Sequence, residues 1–216
     1  MAWINKKGFN FRDTAIFDTD GTNEIAIVGD GGGNIAAASV YPRSVTIDGD
    51  TFNVGWSTSN GDGARNRSAA NDARMAGQHM VQNNVAGGRV FRIDLPAPGT
   101  YEITLAVGDQ GDGAHRDYWE ILDDSSSLEI VDKTATAMTA NHWWDTSGTK
   151  HTSAVNWIAS QVPKNYVFAS QICNVRIGAG SAATTYTTLG HIGIRSIPGV
   201  STGAAMIHHL RNLGAY

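Results

Sequence analysis

The sequence His142-Trp143-Trp144-Asp145 combines residue types that proteins use to hold sugars. An indole ring can stack on the apolar face of a sugar, while neighbouring imidazole and carboxylate groups hydrogen-bond its hydroxyls. Adjacent residues of a strand point to opposite faces, so at most one of Trp143 and Trp144 lies in a binding surface. The alternative is that one ring packs in the core and the other covers the base of a loop. We take His142, Trp143 and Trp144 as candidate carbohydrate-binding residues.

Catalytic residues are not evident in the sequence. Hydrolysis requires an activated nucleophile with its base, or two carboxylates facing a cleft, and no Gly-x-Ser-x-Gly elbow occurs. Aspartate supplies 16 of the 20 acidic residues, and many of these aspartates precede glycine, as in Asp30-Gly31 and Asp48-Gly49. Turn chemistry accounts for such pairs. We therefore predict that the protein is not an enzyme and has no catalytic residues.

One segment is rich in oxygen ligands for a metal ion. It is DTDGTNE at 18–24, whose glycine falls two positions too early for a calcium-binding helix–loop–helix motif. A structural calcium ion there remains an alternative. The seven histidines are dispersed, and only His208 and His209 are close together, with side chains that point apart. We predict neither a metal site nor a cofactor.

Composition indicates an all-β protein. The 216 residues include 25 Gly, 17 Ile, 14 Val and 19 Thr but only 7 Leu. Because β-branched residues suit a pleated surface and good helix formers are scarce, helical bundles and coiled coils are excluded. The net charge of −4 gives no electrostatic footprint for nucleic acid.

Two further features concern the cellular compartment in which the chain folds. No run of 18 apolar residues occurs, and the first ten residues lack the apolar core of a signal peptide, so we expect no membrane span and no export signal. Cys173 is the only cysteine, which leaves no intrachain disulfide. We predict that Cys173 is a small core residue and that the chain is made in a reducing cytoplasm.

Period-two alternation marks the strands. Residues 89–95 and 101–107 alternate on both sides of a Pro/Gly turn and predict an antiparallel hairpin with one buried face. We expect both apolar faces in one core. Two further hairpins are expected over 24–40 and 44–56, and a short helix over 69–82. The remaining expected strands are 118–122, 128–131, 154–158, 166–169, 171–177 and 189–197, and together they favour an antiparallel two-sheet β-sandwich, or jelly roll, over 43–198.

The first 42 residues have a different pattern. Trp3, Phe9, Phe11 and Phe17 alternate with polar residues without a sustained period, and these rings need a place to be buried. They pack either on their own domain or on a neighbouring subunit. We favour the second and predict that residues 1–42 form an assembly arm and hairpin. Residues 199–216 are expected to form a short C-terminal tail.

A family resemblance rests on six segments: FNVGW at 52–56, ARNR at 64–67, NDARMAG at 71–77, FRIDLP at 91–96, PGTYEI at 98–103 and VGD at 107–109. Their order resembles the galactose-binding-like and malectin-like jelly rolls found in many carbohydrate-binding modules. In that family a hairpin ending in Gly-Asp follows a glycine–tryptophan pair and an arginine-rich loop. The resemblance covers about a quarter of the chain and extends to phage structural proteins. It implies the fold more strongly than a function.

The function expected from this resemblance is a structural one. We expect a non-enzymatic phage virion protein, a capsid decoration (cement) protein or another head or tail component, made in the host cytoplasm and located in the virion. Its partners would be other virion proteins and copies of itself, without nucleic acid or membrane. The alternative is a carbohydrate-binding module used in host attachment, with a surface glycan as its ligand.

Overall fold

The structure is a computed structural model. In it, β-branched and aromatic residues that alternate with polar ones form strands. It describes residues 2–3, 5–12, 23–31, 34–58, 63–66, 77–82, 87–109, 117–135, 142–152, 162–178 and 186–198. These ranges contain 15 strands and one short 3-10 helix (Ala37–Ser39). The all-β prediction is confirmed.

Within the described ranges, nine strands form one sheet and six form another, here called the large sheet and the small sheet. The large sheet contains β1 (Lys7–Arg12), β2 (Glu24–Val28), β5 (Ala64–Asn66), β6 (Gly77–Gln82), β8 (Gly99–Asp109), β11 (His142–Trp144), β12 (Lys150–His151), β13 (Lys164–Phe168) and β15 (Tyr186–Ser196). The small sheet contains β3 (Arg43–Ile47), β4 (Asp50–Trp56), β7 (Arg89–Asp94), β9 (Tyr118–Asp123), β10 (Ser126–Asp132) and β14 (Ile172–Ile177).

In both sheets, strands that are distant in sequence lie side by side. In the large sheet the main path is β12-β11-β8-β15-β1-β2, with β13 beside β8, and β6 between β15 and β5. The small sheet has the order β10-β9-β14-β7-β4-β3. Among the described strand pairs, β1 and β2 are parallel and the others are antiparallel. The predicted two-sheet β-sandwich is therefore confirmed, with one parallel pair added.

The core lies between the two sheets. The alternating residues Phe91, Ile93 and Leu95 from the small sheet and Tyr101, Ile103, Leu105 and Val107 from the large sheet all belong to one buried cluster. Burial of each large apolar side chain contributes roughly 1.5–3 kcal/mol. The expectation that these two faces pack against each other is confirmed. Cys173 is also a buried member of this cluster, as predicted.

The same segments do not form a hairpin. β7 pairs with β4 and β14 in the small sheet, whereas β8 pairs with β11, β13 and β15 in the large sheet. The segment between them therefore crosses from one sheet to the other. Two facing sheets and one hairpin both place alternate residues in a common core, so the alternation did not distinguish them.

The N-terminal segment is part of the sandwich, which corrects the prediction of an assembly arm. Trp3, Phe9 and Phe11 are each at most 2% exposed and belong to the core cluster. β1 lies between β15 and β2, so main-chain hydrogen bonds on both edges hold this segment in the large sheet. The rings are thus buried by their own chain. Phe17 lies outside the described residues.

Other expectations have mixed outcomes. The hairpin over 44–56 is confirmed as β3 and β4. In the 24–40 region, β2 is followed by a single bridge between Gly29 and Ile35 and then by the 3-10 helix. The helix expected over 69–82 is wrong for its described part, which is strand β6. Residues 154–158 and the tail at 199–216 lie outside the described residues. No described helix is long and apolar enough to cross a membrane.

Candidate ligand-binding face of the small sheet

The outer side of the small sheet carries a continuous set of polar side chains. Because Phe91 and Ile93 point into the core, their neighbours Arg92 and Asp94 point outward. Asn174 lies beside Arg92 in the register of β14 with β7, and its outward-facing neighbours extend the set over four strands. We call this surface the polar face; its members are Tyr41, Asn53, Arg92, Asp94, Tyr118, Glu120, Asn174 and Arg176.

Asp94 is the centre of one hydrogen-bond network. Its carboxylate accepts hydrogen bonds from Arg92 Nε at 2.8 Å, from the Tyr41 hydroxyl at 3.0 Å and from Asn53 Nδ2 at 3.3 Å. The Arg92 guanidinium also lies over the Tyr41 ring, with Cζ 4.4 Å from the ring centroid. Arg92 and Asp94 are both partly exposed, so the network fixes their orientation at a surface that solvent reaches.

Tyr41 is placed by a close approach of two backbones. Its N–H donates to the carbonyl of Trp56 at 2.9 Å, and Gly55 precedes Trp56 in β4. Gly55 has φ +148°, and a Cβ there would lie 2.4 Å from Tyr41 N. Only glycine combines this conformation with the space that the Tyr41 backbone occupies.

We expect Gly55→Ala to lower the free energy of unfolding by about 1–3 kcal/mol, because it strains the backbone and displaces Tyr41. Gly49→Ala is the matched control, since Gly49 also has a positive φ (+77°) but nothing lies within 4 Å of its Cβ position. The control should lower the free energy of unfolding by about 1 kcal/mol, which is the cost of a positive φ alone. Urea unfolding of both variants measures the difference. Equal losses of unfolding free energy in the two variants would contradict the role of the close approach between Gly55 and the Tyr41 backbone.

The other end of the polar face contains an ion pair. Arg176 Nη1 donates to Glu120 Oε2 at 2.8 Å, and the Glu120 side chain is almost fully buried. Asn174 Nδ2 donates to the Asp124 carbonyl at 2.7 Å. Among the described residues, Asn174 Oδ1 and Arg176 Nε are buried and have no hydrogen-bond partner. Buried polar atoms are usually paired, so these two atoms are exceptions in the small sheet.

Two tyrosines lie at opposite ends of the face. Burial raises the pKa of Tyr41, and its hydrogen bond to Asp94 raises it further. The pKa of Tyr118 is raised by burial and by the nearby Glu120 carboxylate. Both phenols are therefore protonated at neutral pH and act as hydrogen-bond donors with apolar ring faces.

The surface around Asp94 is concave. One hollow of about 330 Å³ is lined by residues 50–53, residues 94–96 and Trp3. A second hollow of about 400 Å³ is lined by Arg92, Asp94, Leu95, Gln171 and Ile172. Asp94 and Leu95 contribute to both, so the two hollows flank this carboxylate. The arrangement can bind an extended polar ligand across the strands. Within the described residues it does not bring together a nucleophile with a general base.

Comparisons with known proteins concern the fold. No protein-family model and no curated protein sequence matches this chain. The solved structure of Bacillus subtilis protein YXIM is similar, with 14% identity and a TM-score of 0.50 over 89% of this chain and 40% of that one. At this identity the similarity shows a shared fold alone.

Two other similar structures have lower scores. A β-glucuronidase from Bacteroides uniformis has 12% identity and a TM-score of 0.47, over 90% of this chain and 18% of that one. A carbohydrate-binding module of Cellvibrio mixtus lichenase 5A, in complex with cellotriose, has 16% identity and a TM-score of 0.33, over 65% of this chain and 91% of that one. The chain thus spans less than half the length of YXIM and of the β-glucuronidase.

The residues selected from sequence as sugar-binding lie elsewhere. Trp144 belongs to the core cluster, and its Nε1 donates to Asp117 Oδ2 at 2.8 Å. His142 Nε2 lies 3.3 Å from the same oxygen, and both His142 and Asp117 are buried. These contacts correct the expectation that His142 and Trp144 face a sugar, because their polar groups are turned into the sandwich.

Trp143 points to the opposite side, as the alternation requires. It pairs with Gly108 on the outer face of the large sheet, lies outside the core cluster, and is 3% exposed. A sugar contact by Trp143 remains a prediction. The described residues contain no group of three or more His, Cys, Asp or Glu placed to hold a metal ion, and most of the 18–24 segment is not described.

The polar face was visible in the sequence only in part. The outward direction of Arg92 and Asp94 follows from the alternation over 89–95. Tyr41 and Asn53 come from separate segments, and no local pattern links them to β7. Their convergence depends on strand order, which a single sequence does not reveal.

Proposed function

We propose that this chain is a carbohydrate-binding β-sandwich domain and that its polar face binds a glycan. One observation carries the proposal: an open, concave sheet face presents the partly exposed Arg92 and Asp94 in a fixed network. Sugar hydroxyls both donate and accept hydrogen bonds, so they match a surface with carboxylate, amide and guanidinium groups. The resemblance to galactose-binding-like and malectin-like jelly rolls also supports this function.

The proposal replaces the assembly role as the leading function. That role depended on an arm whose aromatic residues bind a neighbouring subunit, and three of those residues are in the core. A sugar-binding domain would serve attachment to a glycan-covered surface. A location in a virion, with virion proteins as partners, remains a proposal that rests on the resemblance alone.

We expect Arg92→Ala to weaken glycan binding at least tenfold, because it removes the guanidinium together with its hydrogen bond to Asp94 and its contact with the Tyr41 ring. Affinity gel electrophoresis against a panel of soluble plant, bacterial and algal polysaccharides identifies the ligand, and calorimetry with the best ligand measures the change. A tenfold loss corresponds to about 1.4 kcal/mol of binding free energy.

Arg195→Ala is the matched control for this substitution. Arg195 also forms one ion pair, with Glu102 at 2.9 Å, but it projects from the large sheet. The control should bind the glycan as the wild type does. Equal weakening by both variants, or a wild-type chain that binds none of the polysaccharides, would contradict the proposed function.

A further inference from the structure

The Arg92 side chain is held in place at the centre of the polar face. Its Nε donates to Asp94 Oδ1 at 2.8 Å, and its guanidinium lies over the Tyr41 ring, with Cζ 4.4 Å from the ring centroid. Gly55 is the register partner of Arg92, and the Tyr41 backbone occupies the space where a side chain at Gly55 would lie. The chain itself therefore orients the guanidinium, which lowers the entropy that a ligand must remove on binding.

A second edge of this guanidinium, which carries Nη1 and Nη2, is open to a ligand. Among the described residues neither nitrogen has a hydrogen-bond partner, and the Arg92 side chain is 33% exposed. Two parallel N–H groups on one edge of a planar guanidinium match the two oxygens of a carboxylate. The open edge of Arg92 thus has the geometry of a carboxylate-binding group.

Asp94 is a positioning residue in this arrangement. Its two oxygens accept from Arg92 Nε, from the Tyr41 hydroxyl at 3.0 Å and from Asn53 Nδ2 at 3.3 Å. A carboxylate has about four lone-pair sites, so this network uses most of its capacity to accept hydrogen bonds. The charged group that is left for a ligand is the donor edge of Arg92, which favours a ligand with a negatively charged acceptor.

The hollow of about 400 Å³ beside Arg92 has the size of a ligand pocket, for which about 300–1,000 Å³ is typical. Leu95 and Ile172 contribute apolar lining. Gln171 contributes an amide whose Nε2 is fixed by donation to the Pro96 carbonyl at 3.0 Å, which leaves Oε1 as an acceptor for a hydroxyl. The lining therefore suits a sugar ring that has both an apolar face and hydroxyl groups.

The charge of the whole protein does not attract anions. The net charge is −4, so a general electrostatic attraction for an acidic polymer is absent. The other arginine of the polar face, Arg176, already donates through Nη1 to Glu120 at 2.8 Å. Recognition of a carboxylate would therefore be a local property of the hollow beside Arg92.

We propose that this hollow binds a sugar acid, so that the ligand of the polar face is a carboxylate-bearing polysaccharide. The inference rests on the proposed function, because it names the ligand class of the same face. The sugar carboxylate accepts two hydrogen bonds from Arg92 Nη1 and Nη2, and the sugar ring packs against Leu95 and Ile172. A hydroxyl of the ring donates to Gln171 Oε1.

Matched pairs of polysaccharides test the proposal on the full chain. Each pair is an acidic polymer (polygalacturonate, alginate, hyaluronan or xanthan) and the same polymer with its carboxyl groups reduced to primary alcohols. Reduction keeps the sugar rings and their hydroxyls and removes the group that Arg92 holds. We expect at least one acidic polymer to bind and its reduced form to bind about tenfold more weakly, as measured by isothermal titration calorimetry.

Arg92→Lys separates the geometry of the guanidinium from its charge. Lysine keeps the positive charge but has no pair of parallel donors, so the variant should lose about tenfold in affinity for the acidic polymer. Arg195→Lys is the matched control, because Arg195 forms its ion pair with Glu102 on the large sheet, and this variant should bind as the wild type does. Thermal unfolding checks that both variants fold. The comparison of acidic and reduced polymers uses the wild type and stands without them.

The outcomes distinguish this inference from the proposed function. A neutral or carboxyl-reduced polymer that binds as tightly as the acidic one would overturn the sugar-acid site and leave a glycan-binding polar face standing. Equal affinity of Arg92→Lys and the wild type for the acidic polymer would also overturn it. Dextran sulfate is the control for charge alone, and binding as tight as that of the acidic polymer would have the same consequence. Binding of no polysaccharide would overturn both proposals.

Discussion

Phe11→Ala is expected to lower the free energy of unfolding by about 3–5 kcal/mol, because it leaves a cavity among aromatic rings. The Phe11 ring is fully buried, with its centroid 4.9 Å from that of Phe91, 5.3 Å from His79 and 5.5 Å from Trp56. Urea unfolding of the purified chain, followed by tryptophan fluorescence, measures the loss.

The result separates a core strand from an assembly arm. An arm that docks on a neighbouring subunit would leave the stability of the isolated chain unchanged on substitution. Val167→Ala serves as the control, since Val167 is a 50% exposed strand residue and should change the free energy by about 0.5 kcal/mol. A loss below 1 kcal/mol for Phe11→Ala would contradict the placement of β1 in the core.

His79 should make the fold sensitive to acid. Its Nδ1 accepts from Trp56 Nε1 at 2.9 Å, and its Nε2 lies 2.8 Å from the Arg12 carbonyl and donates to it in the neutral tautomer. Protonation of Nδ1 would place a donor against a donor inside the core. Burial lowers the pKa of His79 to about 4, whereas an unfolded histidine titrates near 6.5.

The sign of the effect follows from linkage. Between these two pKa values the unfolded chain binds the proton and the folded chain does not, so stability falls as the pH decreases from about 6.5 to 4. The loss from this residue is about 3 kcal/mol, and below pH 4 it does not increase further. Unfolding free energies measured from pH 8 to pH 4 provide the test.

His79→Gln isolates this contribution from that of the carboxylates. A glutamine amide can accept from Trp56 and donate to the Arg12 carbonyl without titrating. The variant should therefore lose less stability than the wild type over the same pH range. Parallel pH profiles for the two proteins would contradict the assignment.

Strand positions were more predictable than strand partners. The alternation of Phe91, Ile93 and Leu95 identified a strand and its buried side, since burial imposes a period of two. It contained no information on which strand lies alongside. β1 was missed because the alternation in the sequence GFNFR is too short to show a sustained period. In the structure Asn10 and Arg12 are as buried as Phe9 and Phe11.

The helix expected over 69–82 was wrong in its described part because tertiary pairing decided the outcome. Gly77–Gln82 contains residues that are compatible with either state, and pairing with β15 and β5 makes it a strand. For Trp143 and Trp144, the alternation correctly required opposite directions. It did not indicate which ring faces the core, since both are large and apolar.

The pairing of β1 with β15 also constrains the rate at which this protein folds. Lys7 is the register partner of Ile194, so the large sheet joins the two ends of the described chain. During synthesis at about 5–20 residues per second, β1 waits roughly ten seconds or more for its antiparallel partner to emerge from the ribosome. Contacts this distant in sequence give a high contact order, for which folding in milliseconds to seconds is typical. Until β15 arrives, one edge of β1 has no partner and Phe9 and Phe11 lack the core that buries them, which exposes the nascent chain to aggregation.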